Sequence, residues 1–299
     1  GQAETLRDAL SAAYANNPEL EAARAQLRSV DERVSQARGG YRPTIEASGS
    51  VGWADVEQTS LSSSAPGTGP FTSAGDYTTK SANVALVQPV FSGLSTVNGV
   101  NQAKHEVLSE RERLKNTEQA VLLDAVTAYM NVKRDEALLE LNRNTVQVLQ
   151  RQLEASQDRF RVGEITRTDV AQSEARLSRA LSDRTRAEAD LSASRAFYKR
   201  VVGEAPGTLD DPAGLPAVPE SEDAAHETAL ADNPLLNSAR YAEKAASYAV
   251  GAARGSLLPQ VNLRAEYNRG WDTSLFTEES NQKQIVAELR VPLYQAGVA

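Results

Sequence analysis

Two histidines, His105 and His226, are the only imidazoles, and there is no cysteine. A nucleophilic site built on histidine needs a hydroxyl, a thiol or a carboxylate beside it, and a zinc site needs ligands at close, fixed spacing. Each histidine stands alone in a helical pattern, where a packed or solvated side chain is the expectation. No glycine-rich phosphate loop, zinc spacing or Ser/His/Asp constellation stands out. Carboxylates are plentiful, but they alternate with arginine, as in Glu110-Arg111-Glu112-Arg113, the pattern of a solvated helix face. The sequence therefore predicts no catalytic residue, no metal and no cofactor.

Charge in the strand-like segments offers a different chemistry. In residues 260–268, Val261, Leu263, Ala265 and Tyr267 alternate with Gln260, Asn262, Arg264, Glu266 and Asn268. Residues 284–291 repeat the alternation, with Ile285, Ala287 and Leu289 against Glu288 and Arg290. Residues 44–54 set Ile45, Ala47, Val51 and Trp53 against Glu46 and Ser48, and residues 81–88 do so more weakly around Asn83. Period-two alternation puts the two sets on opposite faces of a strand. Glu46, Ser48, Asn83, Asn262, Arg264, Glu266, Glu288 and Arg290 are thus expected on a face that meets water. The other face must meet a core or lipid. Trp53, Tyr267 and Trp271 lie toward one end of the strands, and Phe91 and Tyr294 toward the other, as two interfacial aromatic girdles would. Residues 61–76 and 272–282 read as long polar hairpin loops. Four strands cannot close a barrel, so strands crossing lipid must be shared between copies: two copies give eight strands and three give twelve.

These strands sit in a repeating frame. Asn17-Pro18-Glu19-Leu20 returns as Asn233-Pro234-Leu235-Leu236, and Arg38-Gly39 with Pro43 returns as Arg254-Gly255 with Pro259, each offset by 216 residues. Gly52-Trp53 returns as Gly270-Trp271, and Leu86–Phe91 as Leu289–Tyr294. The predicted organisation is a first repeat over 1–202, a Pro- and Gly-rich linker over 203–220, and the start of a second repeat over 221–299. The first repeat is expected to hold a helix over 4–38, strands over 41–60 and 76–90, a long helix over 98–161 and a return helix over 166–201. The second is expected to hold a helix over 222–254 and strands over 258–271 and 282–293. About 100 residues of the second repeat are expected to be missing by comparison with 94–202. The opening residues have no signal-peptide pattern and no lipid-accepting cysteine, so any leader is expected to have been removed.

The helices far exceed the usual 8–20 residues. Ala125, Val132, Leu139, Val146, Leu153 and Phe160 form one strict seven-residue row, which implies supercoiling against a neighbour. The companion row, Ala128, Asp135, Asn142, Leu149 and Ser156, is mixed and suits a helix that also faces water. The long and return helices are separated by Arg159-Phe160-Arg161-Val162-Gly163-Glu164-Ile165-Thr166-Arg167-Thr168-Asp169. Gly163 can take the positive φ that ends one helix, Thr166 or Thr168 can cap the next, and Asp169 suits its N-terminal dipole. The stretch reads as the tip of an antiparallel hairpin. Aromatics are only 5% of the chain, so its core must be built from Ala, Leu and Val, which favours close helix packing. The net charge of −8 argues against a nucleic-acid-binding surface.

The motifs "NNPEL", "ARGGYRPTIEASGS", "LVQPVFSG", "AVTAYMNV", "RFRVGEITRTDV", "DNPLL", "ARGSLLPQVNL" and "LRVPLYQAG", in this order and spacing, resemble the TolC-like outer-membrane efflux proteins along the whole chain. The resemblance implies a mainly α fold with transmembrane β-structure: long antiparallel helical hairpins forming an α-barrel, plus four strands of a 12-stranded barrel shared in a homotrimer. It implies an outer-membrane channel with its helices in the periplasm, serving tripartite efflux or type I secretion as a passive conduit. The implied partners are outer-membrane lipid, a periplasmic adaptor and an inner-membrane pump or ABC transporter. By position, Arg159, Val162, Gly163, Thr166 and Asp169 would form an adaptor-docking tip. The family's gate residues fall mostly in a second hairpin beyond this sequence, so none is assigned. The alternatives are a soluble periplasmic coiled-coil scaffold and an adaptor.

Overall fold

A computed structural model describes residues 4–60, 71–212, 214 and 218–294. It divides into two compact units, Gly1–Arg28 with Glu110–Ser238, and Ser29–Ser109 with Ala239–Ala299. The elements are α1 Leu6–Asn16, α2 Pro18–Gly39, β1 Thr44–Ser60, β2 Phe71–Ser92, α3 Ser95–Arg161, α4 Arg167–Val202, α5 Glu222–Asp232, α6 Pro234–Gly255, β3 Gln260–Ser274 and β4 Thr277–Arg290. The order helix, helix, strand, strand thus occurs twice.

The helices expected over 4–38 and 222–254 are each two helices. A residue before proline is driven out of the helical region. Asn17 and Asn233 accordingly sit at φ −73, ψ 122 and φ −69, ψ 115. Proline suits the first helical position, because its missing N–H would be unpaired there anyway. The asparagine also restarts the chain. The Asn17 Oδ1 accepts from the Glu19 N–H at 2.9 Å, and the Asn233 Oδ1 accepts from the Leu235 and Leu236 N–H groups at 2.9 and 3.1 Å.

The first unit packs α1 against α4 and the middle of α3. Its core joins Ala9, Ala13, Ala125, Ala128, Tyr129, Val132, Leu139, Ala187, Leu191, Tyr198, Val202 and Leu209. Small alanines on facing helices let the backbones approach, and Tyr129 and Tyr198 are the largest side chains fully buried there. The seven-residue row of α3 is buried from Ala125 to Val146 and emerges at the tip, where Phe160 is exposed. The mixed row is corrected at two positions. Asp135 and Ser156 pair with α4 rather than face water, whereas the Asn142 amide donates to the Leu138 carbonyl of its own helix. The Ser194 hydroxyl donates to the buried Asp135 carboxylate, and the Ser156 and Ser173 hydroxyls meet at 3.3 Å. Arg134 closes on Asp135 at 2.8 Å. That guanidinium holds the Asp135 carboxyl below the usual range, against the effect of its own burial.

The second unit holds a four-stranded sheet in the order β1-β2-β3-β4, antiparallel throughout, and the helix segments that feed it. Val30, Val100, Ala103, Val107 and Ala245 are the buried hydrophobic residues of those segments. His105 lies among them, with its ring 5.1 Å from Tyr248 and Nδ1 2.8 Å from the Asn101 carbonyl oxygen. The strands run farther toward the hairpin end than the sequence predicts. The strand expected over 76–90 begins at Phe71, and those expected over 258–271 and 282–293 run from Gln260 to Ser274 and from Thr277 to Arg290. The polar loop expected over 272–282 shrinks to Leu275 and Phe276, with a bulge at Asp272, whose φ is 49°. A backbone ladder needs only N–H and C=O groups, so polar residues extend a strand that amphipathic alternation no longer marks. Of the loop expected over 61–76, residues 61–70 lie outside the described residues and 71–76 belong to β2.

Candidate functional site

The sheet register decides which side chains share a face, because directly paired residues point the same way. Glu46 pairs with Ala85, Ala85 with Glu266, and Glu266 with Gln284. Ser48 pairs with Asn83, Asn262 with Glu288, and Gln260 with Arg290. All eight polar residues named from the sequence therefore lie on one face. They interact there: Arg264 and Gln284 both donate to the Glu266 carboxylate, and Asn83 donates to Asn268. Ser50 and Ser81 meet at 2.8 Å farther along. Such a face can hold water and ions along its length, and it offers neither a nucleophile nor a base poised beside one.

The opposite face carries the apolar set, and its band runs obliquely. On β1 it extends from Trp53 to Ile45, and on β2 from Ala82 to Phe91. On β3 it runs from Trp271 to Val261 and on β4 from Ile285 to Leu289, continuing in Val291 and Leu293 past the strand end. In register, Trp53 is level with Thr78, whereas Leu289 is level with Val261 and Phe91. The band thus slides toward the helix-bearing ends as it crosses from β1 to β4. A sheet packed on a compact core has no need of that slant. Strands tilted against the normal of a flat apolar layer require it. Trp53, Tyr267, Trp271 and Phe91 all lie on this face, Phe91 returned to it by a bulge after Pro89. The Trp53 indole donates to Asp76 at 3.3 Å. Tyr294 lies beyond the end of β4 and is exposed.

Three cations on the apolar face escaped the sequence reading. Lys80 and Lys283 sit where the band ends on β2 and β4, and Arg269 sits on β3 between Tyr267 and the terminal Trp271. Arg269 lies 5.1 Å over the Trp271 ring and Lys283 5.6 Å over that of Tyr267. Their sequence signal was a basic residue two positions from an aromatic on the same face, or across the ladder from one.

The helical tip is built by backbone geometry. Gly163 has φ +78, its N–H donates to the Phe160 carbonyl at 3.0 Å, and the Glu164 N–H donates to the Arg159 carbonyl at 2.9 Å. These two bonds make a Schellman end, which satisfies the last carbonyls of α3. Thr166, rather than Thr168, caps α4. Its Oγ1 accepts from the Asp169 N–H at 3.4 Å, while the Asp169 carboxylate accepts from the Thr166 N–H at 2.9 Å and from its hydroxyl at 2.7 Å. Arg159 spans the turn to Glu164 at 2.8 Å. Val162 is 79% exposed, whereas Ile165 is half-buried.

The Asp169 carboxyl is held below its usual range, first by the Thr166 hydroxyl and then by the Thr166 N–H. A carboxyl lowered on folding contributes stability above its unfolded pKa and loses it as pH falls through the folded one. The cap is therefore intact at neutral pH and opens only in acid. Thr166→Ala removes the acceptor for the Asp169 N–H and is expected to cost about 1 kcal/mol. Faster amide hydrogen exchange confined to the first turn of α4 would report it.

With two-faced strands and paired long helices in place, the comparisons with known proteins agree. Residues 9–203 and 225–299 match the family described as outer membrane efflux protein, and the chain belongs to that family. It is 36% identical over 297 residues to the outer membrane efflux protein BepC of Brucella suis biovar 1, covering 98% of this chain and 61% of BepC. It is 27% identical over 303 residues to the alkaline protease secretion protein AprF of Pseudomonas aeruginosa, again over 98% of this chain and 61% of the relative. The chain thus spans about three-fifths of these curated relatives. Among solved structures, a CusC crystal structure superposes with a TM-score of 0.78 at 16% identity, over 98% of this chain and 66% of that one. The Campylobacter jejuni outer membrane channel CmeC superposes with a TM-score of 0.76, also at 16% identity, over 98% and 62%.

Proposed function

We propose that this chain forms part of an outer-membrane exit duct serving efflux or type I secretion. Three copies place twelve strands side by side in one barrel, with the apolar face toward lipid and the charged face around a water-filled lumen. The helices extend into the periplasm. The tip around Arg159, Val162, Gly163, Thr166 and Asp169 meets a periplasmic adaptor, and an inner-membrane pump or ABC transporter supplies the energy. The duct itself is passive and catalyses nothing. The oblique apolar band carries this reading, because a soluble scaffold or an adaptor has no use for a lipid-shaped slant. Among the relatives, BepC is named for efflux and AprF for secretion of an alkaline protease, so either kind of cargo suits the family.

The test is the native mass of the intact gene product released from detergent. Three copies carrying detergent are expected, and a detergent-free monomer would overturn the proposal. A second prediction concerns ions. On the charged face of the strands, Glu46, Glu266, Glu278 and Glu288 outnumber Arg264 and Arg290, so the barrel lumen is expected to favour cations weakly. Replacing Glu46 and Glu288 by arginine should reverse that preference, read as a change of sign in the reversal potential under a salt gradient.

A further inference from the structure

The band edge on the apolar face has a definite chemistry. Going outward along β2, β3 and β4, the first charged residue on this face is a cation each time: Lys80, Arg269 and Lys283, with Trp271 following Arg269 on β3. Lys80 pairs with Trp271, Arg269 lies one same-face position back from it toward the start of β3, and Lys283 pairs with Tyr267 one position farther back. One strand step and one same-face step separate successive cations, about 8 Å each and roughly 16 Å in all. Carboxylates occupy the stretch beyond them, at Asp55 and Asp76 on β1 and β2 and at Glu279 on β4.

Below the cations lies an open, mostly apolar groove of about 550 Å³, lined by Val84, Leu86, Ala265, Tyr267 and Ile285, with Lys283 at its rim; Glu266 and Gln284 line it too, although the register turns their side chains to the other face. Arg269 is steered by Glu279 at 2.6 Å and by the Trp271 ring, so its guanidinium is held at the band edge with further donors to offer. A groove with an apolar floor and a cationic rim fits an amphiphile, with its acyl chain along the floor and its anionic group at the rim. Phosphate oxygens answer Lys and Arg with charge-assisted hydrogen bonds; a neutral headgroup offers none, and a zwitterionic one offsets its single phosphate with its own cation. Three cations spread over roughly 16 Å suit a headgroup with more than one phosphate better than one with a single phosphate.

We propose that Lys80, Arg269 and Lys283, with the groove below them, form a site for a multiply phosphorylated glycolipid of the outer leaflet. The site rests on the apolar face being the lipid-facing side of a barrel, with the hairpin ends outward. The glycolipid would fill the groove with an acyl chain and tie the band edge to the headgroup layer, fixing the depth and tilt of the strands.

The experiment uses the intact gene product purified in detergent and incubated with bisphosphorylated lipid A, monophosphorylated lipid A or phosphatidylglycerol, with bound lipid counted by native mass spectrometry. Bisphosphorylated lipid A should be retained at least tenfold better than phosphatidylglycerol, with the monophosphorylated form between them. The double variant Lys80→Gln/Lys283→Gln should lose most of that preference while keeping the oligomer mass, and Lys104→Gln, on a helix, should leave it unchanged. Equal retention of the three lipids, or an undiminished preference in the folded double variant, would overturn the site. If the double variant does not assemble, the ranking of the three lipids on the unaltered protein still decides. A detergent-bound trimer indifferent to phosphate number defeats the site alone, whereas a protein that carries no detergent defeats the barrel and the site together.

Discussion

Gly93→Val is expected to destroy the folded strand-bearing unit. Gly93 sits between β2 and α3 with φ +61, and Leu94 follows at φ 68. A Cβ at Gly93 would collide with the Gly255 carbonyl oxygen and lie 2.9 Å from the Leu258 Cβ. The contact is reciprocal, since a Cβ at Gly255 would lie 2.5 Å from the Gly93 oxygen and 2.8 Å from the Ser95 nitrogen. Backbone against backbone leaves no flexible side chain to give way. The clash and the left-handed backbone together are expected to cost about 3–5 kcal/mol. The two strand–helix junctions, one from each helix–helix–strand–strand series, cross at this pair of glycines. Their separation would remove the contact that holds the helix-side ends of β2 and β3. Heat resistance of the intact gene product should be lost in Gly93→Val and in Gly255→Val. Gly99→Ala is the control. It lies within α3 with nothing near its missing side chain, and it should stabilise by about 0.5–1 kcal/mol.

Tyr129→Ala should have a similar effect on the helical unit. Tyr129 is fully buried, and its hydroxyl lies 2.6 Å from the Asp210 carbonyl oxygen and 3.0 Å from that of Glu4. Those carbonyls belong to the chain start and the linker, which also join backbone to backbone through Glu4 and Asp210 at 3.0 Å. Tyr198 completes the knot by donating to the Glu4 carboxylate at 2.5 Å, and burial drives its phenol far above the ordinary value. Removing the Tyr129 ring opens a cavity in an alanine-lined core that has little to collapse with, at a cost of about 3–5 kcal/mol. Tyr129→Phe keeps the ring and loses only the hydrogen bond to the linker, at about 1 kcal/mol. A thermal melt that ranked Phe with Ala would show that the hydroxyl, not the packing, holds the linker.

Much of this was legible because it is periodic. Alternation in 260–268 and 284–291 fixed the faces of β3 and β4, and the register later carried Glu46 and Asn83 to the same face as Glu288. The seven-residue row of α3 marked its core side, and "VGEIT" marked the turn. The errors came where two rules compete. Asn17-Pro18 and Asn233-Pro234 registered as a repeat, while the restriction that proline places on the residue before it went unused, although it breaks both helices. Asp135 and Ser156 looked like solvent-facing residues, because polarity alone does not reveal a partner such as Ser194 on another helix. The strand end beyond Trp271 is polar on both faces, and Phe71-Thr72-Ser73-Ala74-Gly75 before Asp76 mixes an aromatic with small and polar residues, so no alternation marked either. Lys80, Arg269 and Lys283 became meaningful only once pairing placed them along one edge.

The central claim is that one sheet face meets lipid and the other meets water. These 299 residues hold no cysteine, so a cysteine introduced among them is the single label site once any cysteine elsewhere in the intact protein is replaced by serine. Nitroxide labels at 263, 264, 265, 266 and 285 in the intact protein, reconstituted in bilayers, should divide by parity. Labels at 263, 265 and 285 should collide with oxygen dissolved in the lipid, and labels at 264 and 266 with a water-soluble nickel chelate. Strong nickel collisions at 263, 265 and 285, or oxygen collisions dominant at 264 and 266, would contradict the two-faced barrel.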